Sequence, residues 1–169
     1  MIPIVETAAG VVAVNDTAAA PRVCQLMAGE IDLGAELGID PGYPVWLSLR
    51  LGLVVASAAA GIGPPIGPVS PDFRDLERLE AETRELYRIG FRSRAVIHPA
   101  QVTVVNQALA PSASEVERAA RIVELYERAL AEGRGSVIDD SGRMVDEAVV
   151  KVAHRIVEAA ARTQAGPAG

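Results

Sequence analysis

The 169-residue sequence has little cysteine, few aromatic residues and no cluster of positive charge. Its single cysteine, Cys24, excludes an internal disulfide and a metal site built from several thiolates. The apolar neighbours of Cys24 favour a small buried side chain over a reactive thiol. Lys and Arg number 16 against 22 Asp and Glu, which gives a net charge of −6. This balance argues against nucleic acid or an anionic membrane as the main partner.

We also expect neither a membrane span nor a secretion leader. The longest apolar run, residues 51–66, is interrupted by Gly and Pro and is short for a transmembrane helix. Met1 leads straight into a short apolar segment, without the basic region of a signal peptide. We therefore expect a cytoplasmic protein with no membrane partner.

The hydrophobic half of the sequence alternates between short strand-like and longer helical segments. A chain of this length suits one domain with a sizeable core. The apolar patterning predicts strands over residues 2–5, 23–28, 64–69 and 95–97. It predicts helices over residues 8–20, 45–60, 72–89, 101–108, 114–131 and 146–162, with Ser114 and Glu117 as a capping box. Short buried strands that alternate with helices indicate an α/β fold with parallel pairing.

Chemically active residues follow three of these predicted strands. Glu6 ends the first strand, Asp32 comes shortly after the second, and His98 follows the fourth. Because the carboxyl ends of parallel strands form one ligand-binding face, Glu6 and Asp32 could hold one Mg²⁺ with waters and substrate oxygens. The alternative, weighed equally, is that both acids cap the helices that follow. For His98, a structural turn before proline is favoured over a catalytic role.

Five motifs in order and spacing carry a family resemblance. They are Ile4-Val5-Glu6-Thr7-Ala8-Ala9-Gly10, Gly29-Glu30-Ile31-Asp32-Leu33, Gly90-Phe91, Ile97-His98-Pro99-Ala100-Gln101 and Gly142-Arg143-Met144-Val145-Asp146. From Ile2 to about Ala160, the chain resembles the citrate lyase beta subunit family of the HpcH/HpaI aldolase superfamily. The Ile-His-Pro-x-Gln and Gly-x-Met-x-Asp segments are the most specific parts of this resemblance.

The resemblance implies a TIM (β/α)8-barrel type of fold that binds Mg²⁺ and cleaves or forms a carbon–carbon bond beside a thioester. Glu6 and Asp32 match the metal-binding carboxylates of the family. Asp146 matches an aspartate that reaches the neighbouring subunit's active site, which makes it the catalytic acid or base candidate. Its alternative role is the N-cap of the last helix. His98 and Gln101 match a segment that would shape the thioester pocket and bind substrate.

Length and three local differences set this chain apart from the family pattern. Ala9 replaces an arginine, Ile31 an acidic residue and Gly67 an aspartate. A barrel of eight βα units needs about 250 residues, so this chain matches the last four units plus C-terminal helices. We expect half-barrel units over residues 1–131 and a C-terminal segment over residues 132–169 that could reach a neighbouring subunit. Exposed parallel edges predict a homo-oligomer or a partner chain that supplies the missing half-barrel.

The expected function is that of an Mg²⁺-dependent lyase acting on a citryl-, malyl- or citramalyl-type thioester of CoA or an acyl carrier. An acyl-CoA thioesterase is an alternative within the same chemistry, because both activities stabilise a thioester enolate. A non-catalytic or truncated homologue that serves as a binding or structural subunit is the alternative of another class.

Overall fold

The computed structural model describes residues 1–39 and 45–164, which divide into two compact units between Leu109 and Ala110. The first unit contains four strands, β1 (Ile4–Val5), β2 (Met27–Ala28), β3 (Ile66–Gly67) and β4 (Ser93–Arg94). Its helices are α1 (Ala8–Val12), α2 (Val14–Ala19), α3 (Glu30–Leu37), α4 (Val45–Ala59), α5 (Leu76–Ile89) and α6 (Pro99–Leu109). The strands pair in parallel in the order β1-β2-β3-β4, so the predicted α/β class is confirmed.

The core of the first unit lies on one face of this sheet. The second residue of each strand is buried, and Val5 and Ala28 belong to a cluster with Leu53, Leu86 and Phe91 from the helical layer. The first residue of each strand is more exposed in every case. Alternate residues of a strand point to opposite faces, so the helices cover one face of the sheet.

Local side-chain chemistry sets the helix boundaries. The Thr7 hydroxyl accepts a hydrogen bond from the Gly10 N–H at the start of α1, and Asp75 does the same for Arg78 N–H in α5. Gly61 and Gly90 follow α4 and α5 with φ of +67° and +116°, a region in which a side chain would be strained. The helix predicted over residues 8–20 is divided at Ala13 into α1 and α2.

Two sequence-based predictions in the first unit are wrong. The fourth strand is Ser93–Arg94, and the apolar residues 95–97 predicted as the strand lie in the loop that follows it. Arg94 pairs in register with Gly67. Its charge did not suggest a buried position in a strand, yet its guanidinium is buried and donates a hydrogen bond to the Pro68 carbonyl. Cys24, predicted to be buried, is exposed, and its thiol donates a hydrogen bond to the Met1 carbonyl.

The second unit consists of two long helices and a hairpin. Helices α7 (Ala113–Ala131) and α8 (Glu147–Gln164) flank the antiparallel strands β5 (Val137–Ile138) and β6 (Met144–Val145). Tyr126, Val145 and Val150 form their shared core. Because α7 packs with α8, the two helices belong to the same compact unit, which begins at Ala110.

Helix α7 begins at Ala113, and its N-cap lies two residues before the predicted one. Ser112, not Ser114, is the N-cap, and its capping-box partner is Glu115 rather than Glu117. Among the residues that the structure describes, none of the helices combines the length and apolarity needed to cross a membrane.

Candidate functional site

Glu6 and Asp32 lie at the carboxyl ends of neighbouring parallel strands. Glu6 directly follows β1 and is half-buried, whereas Asp32 is exposed in the first turn of α3, four residues after β2. Since β1 and β2 pair in register, both carboxylates belong to the same edge of the sheet. Asp32 also lies at the N-terminus of α3, where the helix dipole favours a negative charge.

Gly29 holds these two strand ends together. Its N–H donates a 3.0 Å hydrogen bond to the Val5 carbonyl. A Cβ at position 29 would lie 2.4 Å from the Glu6 Cβ and 2.9 Å from a side-chain carbon of Ile4. Glycine at this position therefore lets the backbone after β2 approach the base of the Glu6 side chain.

Glu30 forms an ion pair. It lies between Gly29 and Ile31, the position at which the family pattern has an acidic residue. Its carboxylate accepts two 2.7 Å hydrogen bonds from the Arg50 guanidinium of α4. Burial acts to lower the pKa of Arg50, but the hydrogen bond and charge of Glu30 outweigh it and raise this pKa. Glu30 is thus committed to joining α3 with α4, and it does not substitute for the acidic residue missing at Ile31.

A cleft of about 530 Å³ opens in the first unit, beside the segments that follow β2 and β3 and beside Arg94 of β4. Its charged lining residues are Glu30, Arg50, Asp72, Arg78, Glu82 and Arg94. Glu6 and Asp32 are not among the residues that line it. The carboxylate pair and this cleft are therefore two separate features of the first unit.

Arg94 forms a buried network at the end of β4. Its guanidinium donates to the carbonyls of Pro68 and Leu79, to the Thr83 hydroxyl and to the Glu82 carboxylate at 2.9–3.1 Å. Burial alone would raise the pKa of Glu82, but hydrogen bonds from Arg94 and Arg78 outweigh it and hold this pKa below its ordinary value. Arg94 thereby fastens the loop after β3 to α5.

Gln101 is completely buried in α6, and both ends of its amide bind backbone. Its Nε2 donates to the Ser70 carbonyl at 3.1 Å, and its Oε1 accepts from the Ile97 N–H at 3.0 Å. The side chain therefore joins the loop after β3 to the loop after β4. The buried amide supports both loops from beneath, and the substrate contact expected for Gln101 stays a prediction.

His98 is exposed in the loop that follows β4, and its ring stacks on Phe73 with centroids 4.5 Å apart. Its Nδ1 accepts a 3.1 Å hydrogen bond from the Ala100 N–H at the start of α6. With Nδ1 as an acceptor, the neutral imidazole carries its proton on Nε2. The guanidinium of Arg74 also lies over the Phe73 ring, at 4.8 Å from its centroid.

Asp146 is the N-cap of α8 in the second unit. Its Oδ1 accepts a 3.0 Å hydrogen bond from the Val149 N–H, and its carbonyl accepts from the Val150 N–H. The capping alternative for this residue is therefore confirmed. Within the described residues, no three His, Cys, Asp or Glu side chains converge on a point that could hold a metal ion.

The sequence did not reveal Arg94 and the Glu30–Arg50 pair, because each depends on partners distant in the chain. Gly67 is better understood with the structure: a Cβ there would lie 2.8 Å from a methyl carbon of Leu86. The Leu86 side chain of α5 therefore lies where the side chain of an aspartate would begin. The glycine itself was the available signal, since a strand-interior glycine often marks close packing.

The chain is similar in sequence to malyl-CoA thioesterases and malyl-CoA lyases. The chain is 35% identical over 144 residues to a (3S)-malyl-CoA thioesterase of Cereibacter sphaeroides, covering 83% of this chain and 50% of the relative. It is 32% identical over 177 residues to an L-malyl-CoA/beta-methylmalyl-CoA lyase of Rhodobacter capsulatus, covering 93% of this chain and 55% of the relative. No family model matches the sequence.

A solved structure shows the same fold. Protein CitE from Mycobacterium tuberculosis, in complex with magnesium, acetoacetate and coenzyme A, superposes with a TM-score of 0.81 at 30% identity. The alignment covers 95% of this chain and 60% of CitE. The chain thus spans about half the length of the curated relatives it matches.

Proposed function

Because the chain is homologous to malyl-CoA lyases, malyl-CoA thioesterases and citrate lyase beta subunits, we propose that it carries the metal-binding part of an acyl-thioester lyase. The substrate class is a malyl-, citramalyl- or citryl-type thioester, and the cofactor is Mg²⁺. The observation that carries this proposal is the placement of Glu6 and Asp32 after adjacent parallel strands, with Gly29 between them.

The residues present fit Mg²⁺. This ion is usually held by one or two carboxylates and keeps several waters or substrate oxygens. Glu6 and Asp32 supply two carboxylates, and glycine at position 29 lets the two strand ends that carry them lie in close contact. When bound, the ion would stabilise negative charge that develops on substrate oxygens during bond cleavage.

The remaining roles fall to side chains at the same edge and in the second unit. Glu6 and Asp32 would orient the substrate's carboxylate and hydroxyl end through the cation that they hold. His98, exposed after β4 with a proton on Nε2, is the candidate for contact with the thioester. Gln101 would act from below, by fixing the loop that carries His98.

Asp146 is our candidate for the proton transfer that accompanies cleavage. Its Oδ1 is used by the N-cap bond, so the transfer would use Oδ2. The segment that contains it, residues 132–169, would deliver the carboxylate to the site of a neighbouring subunit. Residues 1–131 would then correspond to the last four βα units of an eight-stranded barrel, completed by four units from another chain.

A thioesterase is the second candidate, because a relative at 35% identity hydrolyses malyl-CoA according to its name. The two reactions differ in their products. Carbon–carbon cleavage of these substrates releases acetyl-CoA and a 2-oxo acid, whereas hydrolysis releases the free hydroxy acid and the CoA thiol.

The test incubates the purified chain with Mg²⁺ and malyl-, citramalyl- and citryl-CoA, and follows acyl-CoA products and free thiol separately. Mn²⁺ binding by electron paramagnetic resonance provides a readout that does not depend on turnover. We expect Glu6→Gln and Asp32→Asn each to weaken Mn²⁺ binding at least tenfold. Asp16→Asn, an exposed acid in the first turn of α2, is the matched control.

Each result has a defined meaning. Turnover that is lost in both site variants supports the lyase or the thioesterase, according to the product. Mn²⁺ binding without turnover supports a non-catalytic subunit that keeps the metal site. Mn²⁺ affinity that is equal in the native chain, the two site variants and the Asp16→Asn control would refute the metal site.

A further inference from the structure

The first N–H group of α1 is bound by a side chain from a different helix. The N–H groups in the first turn of a helix have no partner within the helix itself. At the start of α1, the Gly10 N–H donates to the hydroxyl of Thr7, the local N-cap. The Ala8 N–H instead donates a 3.0 Å hydrogen bond to the Glu36 carboxylate of α3. The segment after β1 is therefore joined to α3 by a side chain that lies 28 residues away in the chain.

The acceptor in this hydrogen bond is a charged group that α1 does not have in its own sequence. The first turn of α1 contains no acidic residue. Hydrogen bonds to an ionised acceptor are about twice as strong as those between neutral groups. Glu36 is exposed, whereas Ala8 is half-buried, so the carboxylate reaches inward from the surface of α3 to the start of α1.

The side of α3 that makes this contact also carries Asp32. Asp32 and Glu36 are four residues apart, and side chains at this spacing are neighbours on one face of a helix, with Cβ atoms about 5–6 Å apart. Glu36 binds Ala8, which comes two residues after Glu6 in the chain. The face of α3 that carries Asp32 is thereby directed toward the segment that carries Glu6.

Helix α3 is fixed on both sides of Asp32. Near the beginning of the helix, Glu30 pairs with Arg50 of α4 at 2.7 Å. Near its end, Glu36 binds the start of α1. Gly29 brings the strand ends close together, and these two contacts then determine how α3 is turned about its axis. The rotation of α3 in turn determines where the Asp32 carboxylate points.

Glu36 is not itself a third ligand in this arrangement. Over residues 1–39 and 45–164, no three acidic, histidine or cysteine side chains converge on a common point, so Glu36 does not form a triad with Glu6 and Asp32. We propose that Glu36 is a positioning residue for the two metal-binding carboxylates. By accepting the Ala8 N–H, it holds the Asp32 face of α3 beside the segment that carries Glu6. This inference rests on the proposed Mg²⁺ site.

Two variants remove the hydrogen bond from opposite ends. Glu36→Ala removes the acceptor. Ala8→Pro removes the donor and keeps the charge of Glu36. Proline is favoured at the first position of a helix, and the extended backbone of Thr7, with φ of −135° and ψ of 155°, suits a residue before proline. Glu36→Gln is the conservative variant, because it keeps an acceptor oxygen and removes only the charge.

The first readout is Mn²⁺ affinity, measured by electron paramagnetic resonance. Glu36→Ala and Ala8→Pro should each weaken binding about tenfold, the scale seen for residues that support metal ligands. The double variant should bind like either single variant, because both changes remove the same contact. Glu36→Gln should stay within about threefold of the native chain, since its neutral oxygen still accepts the bond. Glu77→Ala, an exposed glutamate of α5, is the matched control and should not change the affinity.

A second readout separates positioning from a general loss of stability. Water-proton relaxation reports how many waters remain on bound Mn²⁺. If Asp32 turns away, about one more water should bind the ion in Glu36→Ala and in Ala8→Pro. In the metal-free chain, hydrogen exchange over residues 6–12 should accelerate in Glu36→Ala and return to the native rate in Glu36→Gln. Urea unfolding checks that each variant is folded, and Ala8→Pro provides the comparison if Glu36→Ala is not.

The outcomes distinguish this inference from the proposed function. Equal weakening in Glu36→Ala and Glu36→Gln, with native affinity in Ala8→Pro, would show that Glu36 acts through its charge and would overturn the inference. Native affinity in all three variants would also overturn it, and the metal site would stand. Absence of Mn²⁺ binding by the native chain would overturn both the metal site and the inference.

Discussion

The two halves of the sheet's carboxyl edge are built differently. After β3 and β4, the loops are fixed by buried side chains: Arg94 binds the Pro68 carbonyl, and Gln101 binds Ser70 and Ile97. After β1 and β2, Glu6 is half-buried, Asp32 is exposed, and close backbone contact at Gly29 holds the strand ends. One half uses side chains to support the fold, whereas the other leaves its carboxylates accessible to a ligand.

Polar side chains at one edge of the sheet thus have two roles: those after β3 and β4 support the fold, and those after β1 and β2 remain accessible to a ligand. Buried polar groups with full hydrogen bonding stabilise and define a fold, and their removal is costly. Exposed carboxylates contribute little to stability and remain available for chemistry. We therefore expect substitutions after β4 to change stability, and substitutions after β1 and β2 to change binding.

The largest effect should come from Arg94→Met. This change removes the guanidinium from two carbonyls and a hydroxyl in the interior of the first unit, and from the half-buried Glu82. We expect the free energy of unfolding in urea to fall by about 3–5 kcal/mol. Arg84→Met, which breaks an exposed pair with Glu80 on the same helix, should cost less than about 0.5 kcal/mol. Equal losses in both variants would contradict the structural role of Arg94.

A smaller loss is expected for Gln101→Leu, which preserves volume but leaves the Ser70 carbonyl and Ile97 N–H without partners. Such unsatisfied groups cost about 1–3 kcal/mol. Hydrogen exchange should accelerate over residues 68–75, as measured by mass spectrometry. The matched control is Gln107→Leu on the exposed side of α6. Unchanged exchange in Gln101→Leu would show that the amide does not hold this loop.

The Glu82 carboxylate should make stability dependent on acid pH. Its pKa in the folded chain lies below the ordinary value of 4.5, so its contribution is complete above pH 4.5 and is lost as pH falls through the folded value. Between neutral and acid pH, the native chain should therefore lose more unfolding free energy than Glu82→Gln. Urea titrations across this range measure the difference, with Glu80→Gln as the control. Parallel pH curves for native chain and Glu82→Gln would contradict the pairing.

The smallest stability effect is expected for Asp32→Asn. Loss of a negative charge at the N-terminus of α3 should cost about 0.3–1 kcal/mol, near the lower limit because Asp32 is exposed. Its effect on Mn²⁺ binding should be far larger than its effect on unfolding. A strong destabilisation without loss of Mn²⁺ binding would place Asp32 with the structural residues after β4.

The placement of the strand-end acids followed from local patterns. Short apolar runs that alternate with helices predicted the parallel sheet, and parallel pairing brought Glu6 and Asp32 to one edge. Residues 95–97 misled the strand assignment because they are more apolar than Ser93 and Arg94. The observed strand, Ser93–Arg94, depends on pairing with Gly67 and on the buried guanidinium of Arg94, which binds Thr83 of α5.

Long-range contacts explain the other differences between sequence and structure. Nothing near Gln101 in the chain indicates that its amide is enclosed by backbone from two loops. Ser112 and Ser114 each have a glutamate three residues later, so the sequence alone did not decide which of them caps α7. Sequence motifs pointed to His98 and Gln101 as candidate site residues, and the structure shows that His98 is exposed whereas Gln101 is buried.

Gly29 gives the close contact between β1 and β2 a further meaning. Because glycine has no side chain, the backbone at position 29 lies directly against the base of Glu6, where any Cβ would overlap it. Replacement by alanine would keep both carboxylates in the sequence but change the separation between them. The spacing of a candidate ligand pair is thereby encoded in a residue that has no ligand atoms of its own.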